Sequence, residues 1–300
     1  MANEALRNLT TGTLAADSAV PIQNTSAATR MQQASFSEMG GLVLASNSLT
    51  TANLTASVGT LHQLTIAGLT AIRDFILPDT AAVGERVALY IVDGDPTYEV
   101  NIKTAATGSL LNGVDHSATA WSKVFIQHET MVFRCINAGG AGDTDWIVEH
   151  DGRIPCVARM HLATDAVAFL ATANTSYQIE ISTVDNDSFG GTDTGNYHIL
   201  VRRGGNYGLS AKFACTTLGA DFENIETMIY VNNGATKVSA SALKQSGTGG
   251  YQAPQAFSLT APLSSGDTLE LWGKSSSTSN RTVRGHTAWT FLEMSEILER

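Results

Sequence analysis

Positive charge is scarce in this chain. Its 300 residues carry 18 Lys and Arg against 28 Asp and Glu, a formal net charge of −10. A nucleic-acid-binding surface needs a basic stripe to meet phosphate, so this balance argues against one. Cysteine is rarer still: Cys135, Cys156 and Cys215 stand far apart and form no Cys-x-x-Cys pair. An odd, scattered set is expected to be free, buried thiols, not a disulfide framework or a zinc site. No run of 18 apolar residues occurs, so no membrane-spanning helix and no membrane insertion are expected. The N-terminus lacks a basic stretch followed by an apolar one, so no secretory signal is expected, and synthesis in a cytoplasm follows.

Catalytic signatures are also missing. There is no Gly-x-Ser-x-Gly elbow, no phosphate-binding Gly-Lys-Thr and no His-Glu-x-x-His. His62, His116, His128, His150, His161, His198 and His286 are scattered singly, which predicts surface positions at strand ends and no metal or other cofactor. The acidic loop at residues 185–193 places Asp185, Asp187 and Asp193 among Gly and Asn. Alternating Asp before Gly can bind calcium, but the twelfth position holds Asn196 where a bidentate Glu is required. A solvated loop of Asx turns is the expectation, with a cation as the alternative. Asp143 with Asp145, and Glu293 with Glu296, read as surface charge, although paired carboxylates for glycoside cleavage meet only in space. Trp121, Trp146, Trp272 and Trp289 lie in or beside strand patterns, so burial is expected ahead of sugar stacking.

What the chain has in quantity is Gly, Ala, Ser and Thr. Short Thr- and Val-bearing runs punctuated by Gly predict an all-β protein. Residues 1–60 hold no Trp or Tyr and only Phe36. They are expected to form an extended N-terminal arm with a short helix over residues 26–39, stopped by Gly40-Gly41. An arm this polar is ordered chiefly by lying against something else. Residues 61–152 predict a small β module, with strands over residues 74–77, 87–92, 98–102, 123–126, 130–136 and 146–149. No fixed-period repeat is visible, so neither a solenoid nor a propeller is favoured. Gly152 and Pro155 break pairing and mark a boundary. Residues 153–300 then form a head. Here Tyr207, Leu209, Ala211, Phe213 and Cys215 alternate with smaller residues, placing one set on one sheet face. Gly204-Gly205-Asn206 predicts a tight hairpin before them. Met228 to Val231 before Asn232-Asn233-Gly234 predicts a second hairpin. Residues 246–250 and 274–280 predict polar loops.

The head also carries a family resemblance. Gly195-Asn196-Tyr197, Gly204-Gly205-Asn206-Tyr207 and the Leu209-x-Ala211-x-Phe213 strand resemble the tumour-necrosis-factor-like globular head, a jelly-roll β-sandwich shared with complement collagen-stalk heads. Gly266-Asp267-Thr268-Leu269 and the final Trp289-Thr290-Phe291-Leu292 fit in the same order. The resemblance implies a homotrimer, and it places Tyr197, Tyr207, Leu209, Phe213, Trp289 and Phe291 in the trimer interface or the head core. Residues 61–152 resemble small β modules of bacteriophage tail fibres and tailspikes. Together these imply a non-enzymatic bacteriophage virion structural protein, assembled in the host cytoplasm. The first expectation is a homotrimeric capsid decoration or cement protein, gripping a major capsid or tail protein through residues 1–60. The absence of a β-helical or coiled shaft favours that over the alternative, a tail fibre or spike tip that binds a host-surface receptor or saccharide.

Overall fold

The structure is a computed structural model that describes residues 42–49, 52–95, 97–105, 107–139, 143–169, 175–216, 223–245, 256–276 and 281–298. The helix expected over residues 26–39, the loop at 246–250 and the end of the loop at 274–280 lie outside the described residues. Those described are all-β, with no helix among them. The chain divides into two compact units, residues 1–152 and 153–300.

The first unit begins with β1 (Val43–Ser48), β2 (Leu54–Thr55), β3 (Thr60–Thr65), β4 (Arg73–Leu77), β5 (Arg86–Asp93) and β6 (Val100–Thr104). Strands β1, β3 and β5 lie parallel in one sheet, and β2, β4 and β6 lie parallel in another. The chain therefore climbs between two sheets as a three-turn coil. This overturns the expectation that no β-helical element is present. Residues 42–60, read from sequence as the end of the arm, supply the first turn. The turns differ in length: Val43 pairs with Thr60, whereas Thr60 pairs with Val87. Unequal turns leave no fixed period for a sequence search to find.

The unit is completed by β7 (Leu110–Leu111), β8 (Val114–Asp115), β9 (Ser122–Val124), β10 (Thr130–Ala138) and β11 (Thr144–Gly152). Strand β10 extends the first sheet antiparallel to β5, β11 follows antiparallel to β10, and β9 closes the second sheet against β6. Leu64, Phe75, Leu77, Leu89, Ile102, Phe133 and Trp146 are fully buried. The Trp146 Nε1 donates to Pro78 O at 3.1 Å, anchoring the break after β4.

His62 fastens the first turn to the second. It is 3% exposed, its ring meets Phe75 edge-on at 5.5 Å, and its Nε2 accepts from Ser57 N at 3.0 Å. That acceptor role leaves Nδ1 carrying the proton toward Asn47 Oδ1, 2.9 Å away.

The second unit contains β12 (Val157–His161), β13 (Ala166–Phe169), β14 (Ser176–Gln178), β15 (Thr183–Asp187), β16 (Thr192–Asp193), β17 (His198–Leu200), β18 (Gly205–Lys212), β19 (Cys215–Thr216), β20 (Glu223–Val231), β21 (Thr236–Gln245), β22 (Phe257–Leu263), β23 (Thr268–Ser275), β24 (Arg281–Val283) and β25 (Phe291–Ile297). One antiparallel sheet runs β15-β12-β25-β18-β22 and the other β16-β17-β23-β20-β21, with β14 also on β23. Apart from the β16–β17 and β20–β21 hairpins, the chain passes repeatedly from one sheet to the other, which is the jelly-roll sandwich. A small third sheet runs β13-β24-β19.

The hairpin expected at Gly204-Gly205-Asn206 is absent. Strand β17 pairs with β16 and β23, and β18 pairs with β22 and β25, so these two glycines lie where the chain changes sheets. A buried ion pair sets the crossing. Arg203 Nη1 meets Glu296 Oε2 at 2.9 Å, with the two side chains 1% and 3% exposed. Cys156 N donates to the same Glu296 oxygen at 3.0 Å, and Tyr207 OH donates to Arg203 O at 2.5 Å. Burial pushes the Tyr207 phenol well above its ordinary pKa, so it stays a donor.

All three cysteines are free and buried. His62 and His161 are buried too, against the expectation of surface histidines. Of the tryptophans only Trp146 is fully buried; Trp121, Trp272 and Trp289 are half-buried.

Two predictions follow from these contacts. Burial lowers the His62 pKa from its ordinary 6.5. Below 6.5 the unfolded chain binds a proton that the folded ring resists, so stability is lost as the pH falls. Urea midpoints from pH 7 to pH 5 should therefore drop more steeply in the native chain than in His62→Gln; equal slopes would refute this. Second, Glu296→Gln should cost about 3–5 kcal/mol by stranding Arg203, whereas the pair Arg203→Met with Glu296→Leu should cost much less. A double variant as unstable as the single one would contradict the second prediction.

Candidate functional site

An open recess of about 410 Å³ lies on the head, lined by Gln178, Gly195, Asn196, Tyr197, His198 and Asn233. Three separate segments build it: β14, the loop between β16 and β17, and the turn between β20 and β21. Directly opposed residues in an antiparallel ladder share a face. Gln178 opposes Trp272, His198 opposes Glu270, and Glu270 opposes Tyr230. The recess and the Trp272–Tyr230 ring pair, whose centroids lie 5.2 Å apart, are thus on one face of the sheet.

Carboxylates hold the walls. Glu270 is fully buried, and it accepts from Asn233 N at 2.6 Å, Trp272 Nε1 at 2.9 Å and Thr268 Oγ1 at 3.3 Å. This fixes the Asn232-Asn233-Gly234 turn, where all three residues have positive φ, as a tight hairpin requires. Gly234 is obligatory twice over: its φ is +74° and a Cβ would stand 2.9 Å from the Trp272 ring. Opposite, Asp193 accepts from Gly195 N at 2.9 Å, Asn196 N at 3.0 Å and Asn196 Nδ2 at 2.8 Å. Those bonds, the Asn196 amide first, hold its pKa below the ordinary range. Gln178 Nε2 ties the loop to β14 by donating to Asn196 O at 3.0 Å.

Two features mark the recess chemically. Tyr197 has a φ of +59°, an uncommon and costly backbone state for a bulky side chain. His198 Nδ1 is buried with no hydrogen-bond partner among the described residues, while its Nε2 is 3.7 Å from Asp193. An unmet buried nitrogen is costly unless something occupies it.

The acidic loop at residues 185–193 is not a cation cradle among the described residues. Asp187 accepts from the backbone N–H of Phe189, Gly190, Gly191 and Thr192 and from the Thr192 hydroxyl. Burial alone would raise its pKa, but these bonds outweigh it and lower the value. Asp185 turns instead to Arg159 and His161. The chain-adjacent carboxylates also part: Glu293 meets Arg159, whereas Glu296 meets Arg203.

Of the six residues singled out from sequence, only Tyr197 lines the recess. Tyr207, Leu209 and Phe213 are buried within the single chain, as is Phe291 at 9% exposure. The Arg159 guanidinium covers the Phe291 ring at 4.2 Å, and Lys212 and Arg284 flank half-buried Trp289 at 4.7 Å and 4.9 Å. These contacts cover the rings within the single chain. Sequence reasoning missed Gln178, Asn196, His198 and Asn233. Their only local signal was turn chemistry.

No known family profile and no curated protein matches the sequence. Among solved structures, Eiger TNF from S. frugiperda overlays at 12% identity and a TM-score of 0.39, covering 49% of this chain and 96% of its own. Murine APRIL at pH 8.0 overlays at 10% identity and a TM-score of 0.38, covering 48% and 100%. Similarity this low carries no argument about function, and the jelly-roll assignment rests on the strand order itself.

Gly234→Ala tests the recess wall. It should destabilise the head by about 1–2 kcal/mol, the cost of a left-handed side-chain-bearing residue, and shift the Trp272 emission. Unchanged stability and emission would show that the turn does not press on that ring.

Proposed function

We propose that this chain is a non-enzymatic, homotrimeric surface protein of a bacteriophage virion, and that its head is the element that attaches to a host-surface receptor. The observation that carries this reading is the recess: an open, polar cavity whose walls are fixed by saturated carboxylates. We read those pinned, polar walls as the walls of a binding site.

The lack of a β-helical or coiled shaft was one ground for capsid decoration; the three-turn coil of β1 to β6 weakens it, and we place attachment first with decoration as the alternative. Residues 1–41 of the expected arm lie outside the described residues, and the proposed partner of the arm is a capsid or tail protein. Trimerisation comes from the resemblance of the head.

Purified protein should measure as three protomers by native mass determination, and it should compete with phage particles for adsorption to host cells. A lone protomer at micromolar concentration would sink the trimer. Particles that fall apart without the protein but adsorb normally would restore the decoration role and overturn attachment.

A further inference from the structure

We infer that the recess binds an uncharged saccharide, with no metal ion. The inference rests on the attachment reading and names the ligand class of that same site. Four observations lead to it.

The first is the donor and acceptor set. Gln178, Asn196 and Asn233 line the cavity; one amide N–H of Gln178 and one of Asn196 go to the protein itself, but each amide still has a carbonyl acceptor and a further N–H donor. A sugar hydroxyl is likewise donor and acceptor at once, so amides match it in either direction. The second is the spent charge. Glu270 is buried under three donors, and Asp193 is capped by its own loop. No Lys or Arg lines the cavity among the described residues, so an anionic sugar would find no counter-charge from them.

The third is the His198 imidazole, which lines the cavity. A neutral ring carries one donor and one acceptor nitrogen, and a hydroxyl can pair with either kind. The fourth is the aromatic neighbour. Trp272 is half-buried and opposes Gln178 across the ladder, with Tyr230 beside it. A ring face next to amides suits a sugar, which presents C–H groups on one side and hydroxyls on its edges. Each recess is shallow, so single-site affinity should be weak, with Kd on the order of 1 mM. Three recesses on one particle-borne trimer would then hold far more tightly than one, through effective concentration.

The test titrates purified full-length protein with glucose, galactose, N-acetylglucosamine and their short oligomers. It sets these against N-acetylneuraminic and galacturonic acids, with and without a chelator. Tryptophan emission and calorimetry report binding. At least one neutral sugar should bind, unaffected by the chelator. Gln178→Ala and Asn233→Gly should each weaken it about tenfold; the second keeps the backbone conformation and the N–H that Glu270 needs. Folding of each variant is checked by its thermal midpoint. Binding of acidic sugars alone, loss of binding on chelation, or no binding by any sugar would overturn the inference. The adsorption competition separates the two levels: protein that still blocks adsorption while ignoring neutral sugars keeps the attachment role and loses only the ligand class.

Discussion

A backbone N–H that leaves a strand must find an acceptor, and this chain answers that need with carboxylates. Asp93 takes Ile66 N and Ala67 N. Asp95 takes Thr97 N, Tyr98 N and Leu69 N. Glu129, fully buried, takes Phe125 N and Ile126 N, and Asp187 takes four in succession. A charged acceptor makes a stronger bond than a neutral one, so each junction is held where no ladder reaches it. These four carboxylates are turned onto the backbone of the loops beside them.

The recess inherits its form from the same device. Glu270 lies on the outward side of β23 yet has no exposure, because the Asn232-Asn233-Gly234 turn folds over it to reach its oxygens. Asp193 draws the facing loop around itself and leaves Tyr197 in a backbone state it would not choose alone. The cavity is the gap between two loops that are each pinned from below. It is thus preorganised, which limits the ordering a ligand must impose.

The sequence made some of this legible and hid the rest for identifiable reasons. The alternation of Tyr207, Leu209 and Ala211 shows one buried face, and the structure buries all three. Asn232-Asn233-Gly234 reads as a hairpin and is one. Gly204-Gly205-Asn206 has the same local grammar, but Arg203 pairs with Glu296, which is remote in sequence, and that contact sends the chain to the other sheet. The strands of the first unit were visible one by one, but parallel stacking was not, since pairing of β1 with β3 depends on what intervenes. The recess was least visible of all. Its lining residues come together only because β14 and β20 both pair with β23, and no short window contains that fact.

The uneven turns of the coil bear on how the chain reaches its native state. In arrays of identical repeats any strand fits beside several others, so neighbours can be exchanged or skipped, and such arrays misassemble in characteristic ways. Here β3 must pass between a short step and a long one, and only one placement lets both connections close. Irregular spacing works as an address label: each strand has a single berth, and a mis-stacked intermediate leaves a connection either taut or slack.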